Sequence, residues 1–235
     1  MATLLSIIQD ACYTVGMPAP SAVVSSNNET PKRMLRLINE EGRSLAREHD
    51  WSKLKVVESF ATDTVNREQA AQPPSDFDRF TPTTALWDVA NRKPLVGVVS
   101  TNAWLRLLVD DVSSVERYWI MLNGKINITP VTGTADTIYY AYQSKNWVRP
   151  ASGDDKAEFT LDTDTSLLPD ELLKLGLIWR WKQTIGTDYS EDLATYGRQK
   201  EMSIAADRGT GEISMTTDFH GDIPSGYWPG TVTTT

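Results

Sequence analysis

The period of the apolar residues changes twice along this chain, and those two changes set its class. From the N-terminus, Leu4, Ile8, Ala11 and Val15 recur at helical spacing until Pro18 and Pro20 stop the segment. After a polar connector at 25–28, Thr30 reads as an N-cap with Pro31 at the first helical position. Leu35, Ile38, Gly42 and Leu45 then mark one face of a second helix. At Trp51 the pattern turns extended. Residues 53–60, 94–100, 118–122, 125–129 and 137–142 are rich in β-branched and aromatic side chains. Between 118–122 and 125–129 lies Asn123-Gly124, the strongest short hairpin signal available, because a type I′ turn needs positive φ at both central positions. A Pro73-Pro74 turn and one helical stretch, 102–109, interrupt the strands.

Helical spacing returns at Pro169, read as the first helical residue, with Asp170 and Glu171 at the positive end of the helix dipole. Leu172, Leu175 and Trp179 form one stripe on this helix, and Leu173, Leu177 and Trp181 a second. A helix apolar on two sides is either deeply buried or pressed against another chain. Asp188 to Glu191 reads as a capping box for a last helix ending near Arg208. The expected class is therefore α+β. A helical bundle is built from residues 1–50 and 168–208, a mainly antiparallel β-rich insertion spans 51–167, and 209–235 form an extended C-terminal arm.

The arm differs in composition from everything before it. It holds five Gly, two Pro, seven Thr, no Lys or Arg, and the large apolar residues Phe219, Ile223, Tyr227 and Trp228. Such a segment cannot bury enough apolar area to fold alone, so it is expected to be mobile in a free subunit and to order on a partner.

Composition closes several other routes. With 40% hydrophobic residues the chain can bury a real core. A single cysteine, Cys12, excludes an internal disulfide framework or a Cys-based zinc site, and its apolar neighbours place it in a core. No apolar run approaches the length that spans a bilayer, and no basic segment precedes the first apolar stretch as a secretory signal requires. The net charge of −8 disfavours a general phosphate-binding surface. Lys32, Arg33, Arg36, Arg43 and Arg47 cluster on the second helix, but Glu29, Glu40, Glu41 and Glu48 nearly balance them, as on a solvated or interface face.

The residue types of catalysis are sparse. His49, at a predicted helix end, suits the C-terminal dipole, and no nucleophile elbow accompanies it. Two D-x-D pairs, Asp76/Asp78 and Asp162/Asp164, have the form of Mg²⁺ ligands and equally that of Asp-rich loops whose carboxylates bind nearby backbone N–H groups. No glycine-rich phosphate loop occurs. The expectation is no catalytic residue, no cofactor and no metal.

Several stretches, in order, carry a resemblance. They are 73–80, 97–104, Ile126-Asn-Ile-Thr-Pro130, Tyr140-Ala-Tyr-Gln-Ser144, 159–164, and 167–182 followed by Gly186-Thr-Asp-Tyr-Ser-Glu191. Together the chain resembles the adaptor proteins of tailed bacteriophages, the head-to-tail connector subunits that bind beneath the portal. The resemblance implies a structural virion protein without a catalytic step. Copies would form a ring on the dodecameric portal, itself expected to be a dodecamer, lengthening a DNA channel and offering a docking surface to tail or nozzle proteins. DNA would pass without specific binding, and no membrane would be involved. The place would be the head-tail interface of the virion, reached from the host cytoplasm during assembly. Phe219, Ile223, Tyr227 and Trp228 would fill pockets on the portal or a neighbouring subunit, and Trp179 or Trp181 would sit in the contact between subunits. Two other classes compete. One is a carbohydrate-binding or surface-attachment protein stacking sugars on Trp87, Trp104, Trp119 or Trp147, and the other a metal-assisted hydrolase using the two D-x-D pairs.

Overall fold

A computed structural model describes residues 2–81, 84–110 and 116–208. The arm, 209–235, with Phe219, Ile223, Tyr227 and Trp228, lies outside the described residues. The chain is mixed α+β. Helix α1 (Leu4–Val15) starts at Thr3, whose hydroxyl accepts a bond from the Ser6 N–H at 3.3 Å. Helix α2 (Glu29–Glu48) starts at Asn28, two residues before the predicted Thr30 cap, so Pro31 falls within the first turn, where no intrahelical N–H is needed.

Eleven short strands follow the Ser52–Leu54 turn among the described residues: β1 (Lys55–Ala61), β2 (Glu68–Gln69), β3 (Phe77–Arg79), β4 (Trp87–Asp88), β5 (Lys93–Pro94), β6 (Val96–Gly97), β7 (Tyr118–Leu122), β8 (Lys125–Thr129), β9 (Thr137–Ser144), β10 (Val148–Arg149) and β11 (Thr165–Ser166). Helix α3 (Thr101–Val109) lies between β6 and β7. One sheet runs β1-β9-β4-β5 with β3 also on β9, a second runs β2-β8-β7-β6, and β10 pairs with β11. The β7–β8 hairpin turns at Asn123 (φ 50°) and Gly124 (φ 69°), the positive pair that its sequence signals. The stretch 94–100, read as one strand, is split at Leu95. Its N–H reaches Leu86 O at 2.7 Å and its side chain is buried, so the chain changes sheets there. Leu86, Leu95, Ile126, Ile128, Ile138, Tyr140 and Tyr142 form the core shared by both sheets.

Helix α4 (Asp170–Ile185) begins after Pro169, which occupies the cap position one residue outside the helix. Helix α5 (Ser190–Arg208) follows a short turn in which Asp188 accepts from the Ser190 N–H at 3.0 Å and from its hydroxyl, in place of the reciprocal capping box. Helix α4 lies against α1, α2 and α5. Leu172, Leu173, Gly176, Leu177, Ile178 and Trp181 are buried on it, so the chain's own helices cover the Leu173, Leu177 and Trp181 stripe, whereas Leu175 and Trp179 of the other stripe are only half-buried. Trp51, Leu54, Trp147, Val148, Phe159, Leu167 and Leu168 complete this second core.

Close approach at one point needs a glycine. A Cβ on Gly42 would stand 2.1 Å from the indole of Trp147, which is fully buried. On an open helix Gly→Ala gains about 1 kcal/mol. Here Gly42→Ala is expected instead to destabilise the chain by about 1–3 kcal/mol through overpacking. Urea denaturation checks this. In a Trp147→Phe background the same change should turn neutral or stabilising, and an unaltered penalty there would show that the ring is not the obstacle.

Candidate interaction surfaces

Helices α2, α4 and α5 are joined by a polar knot built on α4's exposed margin. The Arg180 guanidinium donates to Glu41 at 2.5 Å and to Glu40 at 3.2 Å, and it lies 4.7 Å over the Trp179 ring. Glu41 is 1% exposed and rests on Gly176, where a Cβ would come 2.5 Å from its side chain. Burial, reinforced by Glu41, raises the Tyr196 hydroxyl well above its ordinary value. Trp179 packs between Tyr189 and Tyr196 and is half-buried. Trp181 is buried among the residues of the helical core and leaves almost no surface for another subunit.

The β region keeps its apolar surplus outside. Trp87 faces Tyr139 across β4 and β9, and both rings are nearly half exposed. With Val57, Ala85, Ala141 and Lys55 they line an open groove of about 260 Å³. Helix α3 buries only Trp104, leaving Leu105, Val109 and the preceding Val99 in solvent. These are exposed apolar surfaces among the described residues.

A family model described as SU10 adaptor protein matches residues 2–221. The chain belongs to the SU10 adaptor protein family. The resemblance read from the sequence, to a phage head-to-tail adaptor, is thereby shown. No curated protein matches the chain. As a member of this family it is a structural phage component and part of the virion, and no helix among the described residues is long and apolar enough to cross a membrane.

In this adaptor the residues that suggested chemistry are occupied by architecture. Of the four tryptophans that a sugar-stacking reading requires, Trp104 and Trp147 are buried, Trp119 is half-buried against Phe80 at 5.2 Å, and Trp87 alone is strongly exposed. His49 meets Asp207 at 3.2 Å, but the Ser52 hydroxyl also donates to Asp207, at 2.6 Å. The carboxylate, not the imidazole, is the hub, so this is no nucleophile-activating relay. Burial works against the Asp207 charge, but the bonds from Ser52 and His49 outweigh it and hold the acid below the usual carboxylate range. Burial raises the Cys12 thiol, which suits a small core residue.

Each D-x-D pair is spent on structure. Asp76 accepts from the Tyr142 hydroxyl at 2.9 Å and from Ser144 at 2.8 Å, while Asp78 pairs with Arg79 at 2.6 Å. Asp162 accepts from the backbone N–H groups of Val23 and Val24, fastening the α1–α2 connector. Asp164, with no exposed surface, accepts from Thr160 N–H, Leu161 N–H and the Lys156 ammonium at 2.7–2.9 Å. Burial opposes this charge too, yet those bonds lower its pKa overall. An ordinary exposed cap is worth about 0.5–2 kcal/mol. A fully buried carboxylate with charge-assisted bonds is worth more, and Asp164→Ala is expected to cost about 2–3 kcal/mol in urea denaturation. A loss below about 0.5 kcal/mol would show the loop folding without it.

What sequence reading missed here is the balance of charge on α2. Glu40 and Glu41 are taken by Arg180, and Glu48 by Lys200 at 2.7 Å. Lys32, Arg33, Arg36 and Arg43 are exposed and make no ion pair or side-chain hydrogen bond among the described residues. On its open face Glu29 and Glu40 stand exposed among Lys32, Arg33, Arg36, Arg43 and Arg47, so that face is net basic without being free of acids. Pairing between distant elements carries no sequence signal.

Proposed function

We propose that this protein is the repeating subunit of a dodecameric head-to-tail ring beneath the portal, extending the DNA channel and receiving tail or nozzle proteins. The observation that carries this reading is the family match across nearly the whole chain. The helices at both ends of the sequence act as one bundle and build the ring wall. With Trp181 turned inward, Trp179, the α3 surface and the Trp87 groove are the contacts offered to neighbouring copies and tail proteins, since a head-to-tail contact whose rotation closes makes a ring. Phe219, Ile223, Tyr227 and Trp228 seat the arm on the portal or a neighbouring subunit. DNA passes without specific binding, the subunit meets its partners in the host cytoplasm during assembly, and it performs no catalytic step.

Electron microscopy of the protein mixed with portal tests this reading. The expected image is a twelve-fold density coaxial with the portal on its tail-proximal side. Single subunits or two-fold pairs on the portal would overturn it.

A further inference from the structure

The α2 cations that make no ion pair among the described residues sit on an acidic chain, on one side of the helix where they outnumber the exposed Glu29 and Glu40. Arg33, Arg36, Arg43 and Arg47 fall within one helical stripe, with Lys32 beside it. Arg47 is largely exposed and meets Asp78 only at 3.7 Å. Four arginines with planar, forked donors suit carboxylates or phosphates held in an extended row.

The end of α5 supplies a reason to choose between those. Lys200 on α5 bonds Glu48 in the last turn of α2, and Asp207 bonds Ser52 and His49 just beyond it. The described chain therefore ends at Arg208, beside the C-terminal end of the cation stripe. The residues that follow carry Glu212, Asp218 and Asp222 and no Lys or Arg. Gly209-Thr-Gly211 provides residues suited to a tight reversal. From Arg47 back to Arg33 the helix covers about 21 Å. From Glu212 to Asp218 an extended chain covers about 20 Å.

We propose that the exposed basic stripe of α2 is a docking track for the acidic first half of the same chain's arm, residues 212–222. Glu212 lies against Arg47 and Arg43, and Asp218 against Arg36 and Arg33. The second half, with Tyr227 and Trp228, is thereby launched from the N-terminal end of α2 in a set direction. The contact is electrostatic and exposed, so it is salt-sensitive and adds little to global stability. Its effect is to lower the ordering cost of whatever the distal aromatics engage, whichever protein that is.

The test uses the full-length chain with spin labels at Ser44→Cys on α2 and Thr217→Cys on the arm, in a Cys12→Ala background, diluted with unlabelled protein. Pulsed electron resonance should give one narrow, short distance population at about 50 mM salt that broadens at about 1 M, where the Debye length falls to about 3 Å. Glu212→Gln, Asp218→Asn and Asp222→Asn together should broaden it at low salt. Reversing the stripe with Arg33→Glu, Arg36→Glu and Arg43→Glu should do the same, and reversing the arm acids to Lys in that background should restore the narrow population. Thermal melts of each variant identify any that fails to fold, and the arm triplet keeps the test open if the stripe variants do. A broad, salt-insensitive distribution overturns the proposal. So does a short distance that vanishes on dilution, which would assign the track to a second copy. Duplex DNA binding lost on stripe reversal with the arm distance unchanged would assign the stripe to nucleic acid, and also overturns it.

Discussion

Replacing Arg117 by alanine is expected to destabilise the folded chain by about 3–5 kcal/mol, the range for removing one partner of a buried ion pair. Arg117 is 6% exposed, and its guanidinium donates to Asp88 at 3.0 Å and Asp136 at 3.1 Å. Asp88 belongs to β4 of one sheet, whereas the Arg117 carbonyl receives the Val96 N–H where β6 joins β7 in the other. The triad therefore spans the two sheets, and loss of Arg117 leaves the buried Asp88 carboxylate and the partly exposed Asp136 without their shared cation. Burial pulls the Asp88 pKa up, but the bonds from Asn91 and Arg117 prevail and leave it below the ordinary value. A depressed carboxylate contributes stability above its unfolded pKa of about 3.9 and loses it as pH falls through the lower folded value. Without Arg117 the buried Asp88 loses the bond that holds its charge and favours protonation, so the gap between wild type and variant should be widest at about pH 7 and narrow toward about pH 4. Urea denaturation at both pH values measures this. Arg117→Met combined with Asp88→Asn and Asp136→Asn should cost less than Arg117→Met alone. Equal costs would mean that packing, not charge, holds the sheets together.

Ending the chain at Arg208 is expected to leave thermal stability nearly unchanged and to remove portal attachment. Three aromatic residues, Phe219, Tyr227 and Trp228, and Ile223 leave with the arm, and one buried aromatic hot spot is commonly worth about 2 kcal/mol, roughly thirtyfold in affinity. The loss should therefore exceed thirtyfold. Co-sedimentation with portal, set beside a thermal melt of the same protein, separates three results. Loss of attachment with an intact melt is the expected one. Undiminished attachment would reduce the arm to a tail, and a collapsed melt would assign it to the subunit's own core.

Local signals carried most of the secondary structure. Asn123-Gly124 and its flanking strands are legible because the turn chemistry is written in two adjacent residues. Element ends were less legible. Thr30 loses its cap position to Asn28, which takes it through backbone conformation without a side-chain capping bond, so cap chemistry in the sequence does not mark the start. The two stripes of α4 could be read, but their cover could not, since α1 and α2 lie far away in sequence. The same limit hid the surfaces. Trp181 and Trp87 look alike in composition, yet one is inside the helical core and the other lines an open groove. Lys32 to Arg43 read as neutralised, but Arg180 and Lys200 take Glu41 and Glu48 away from them.

The Asp207 clasp has a mechanical consequence. Its carboxylate takes Ser52 N–H at 2.9 Å, the Ser52 hydroxyl at 2.6 Å and His49 at 3.2 Å, one residue before Arg208. Tension applied to the chain beyond Arg208 reaches these three bonds together before it can peel the last turn of α5. The load passes sideways into the α2–β1 junction, whose Trp51 is anchored through its indole to Leu45 O at 2.7 Å. A tether pulled from outside is thus moored to the α2–β1 junction as well as to the end of α5.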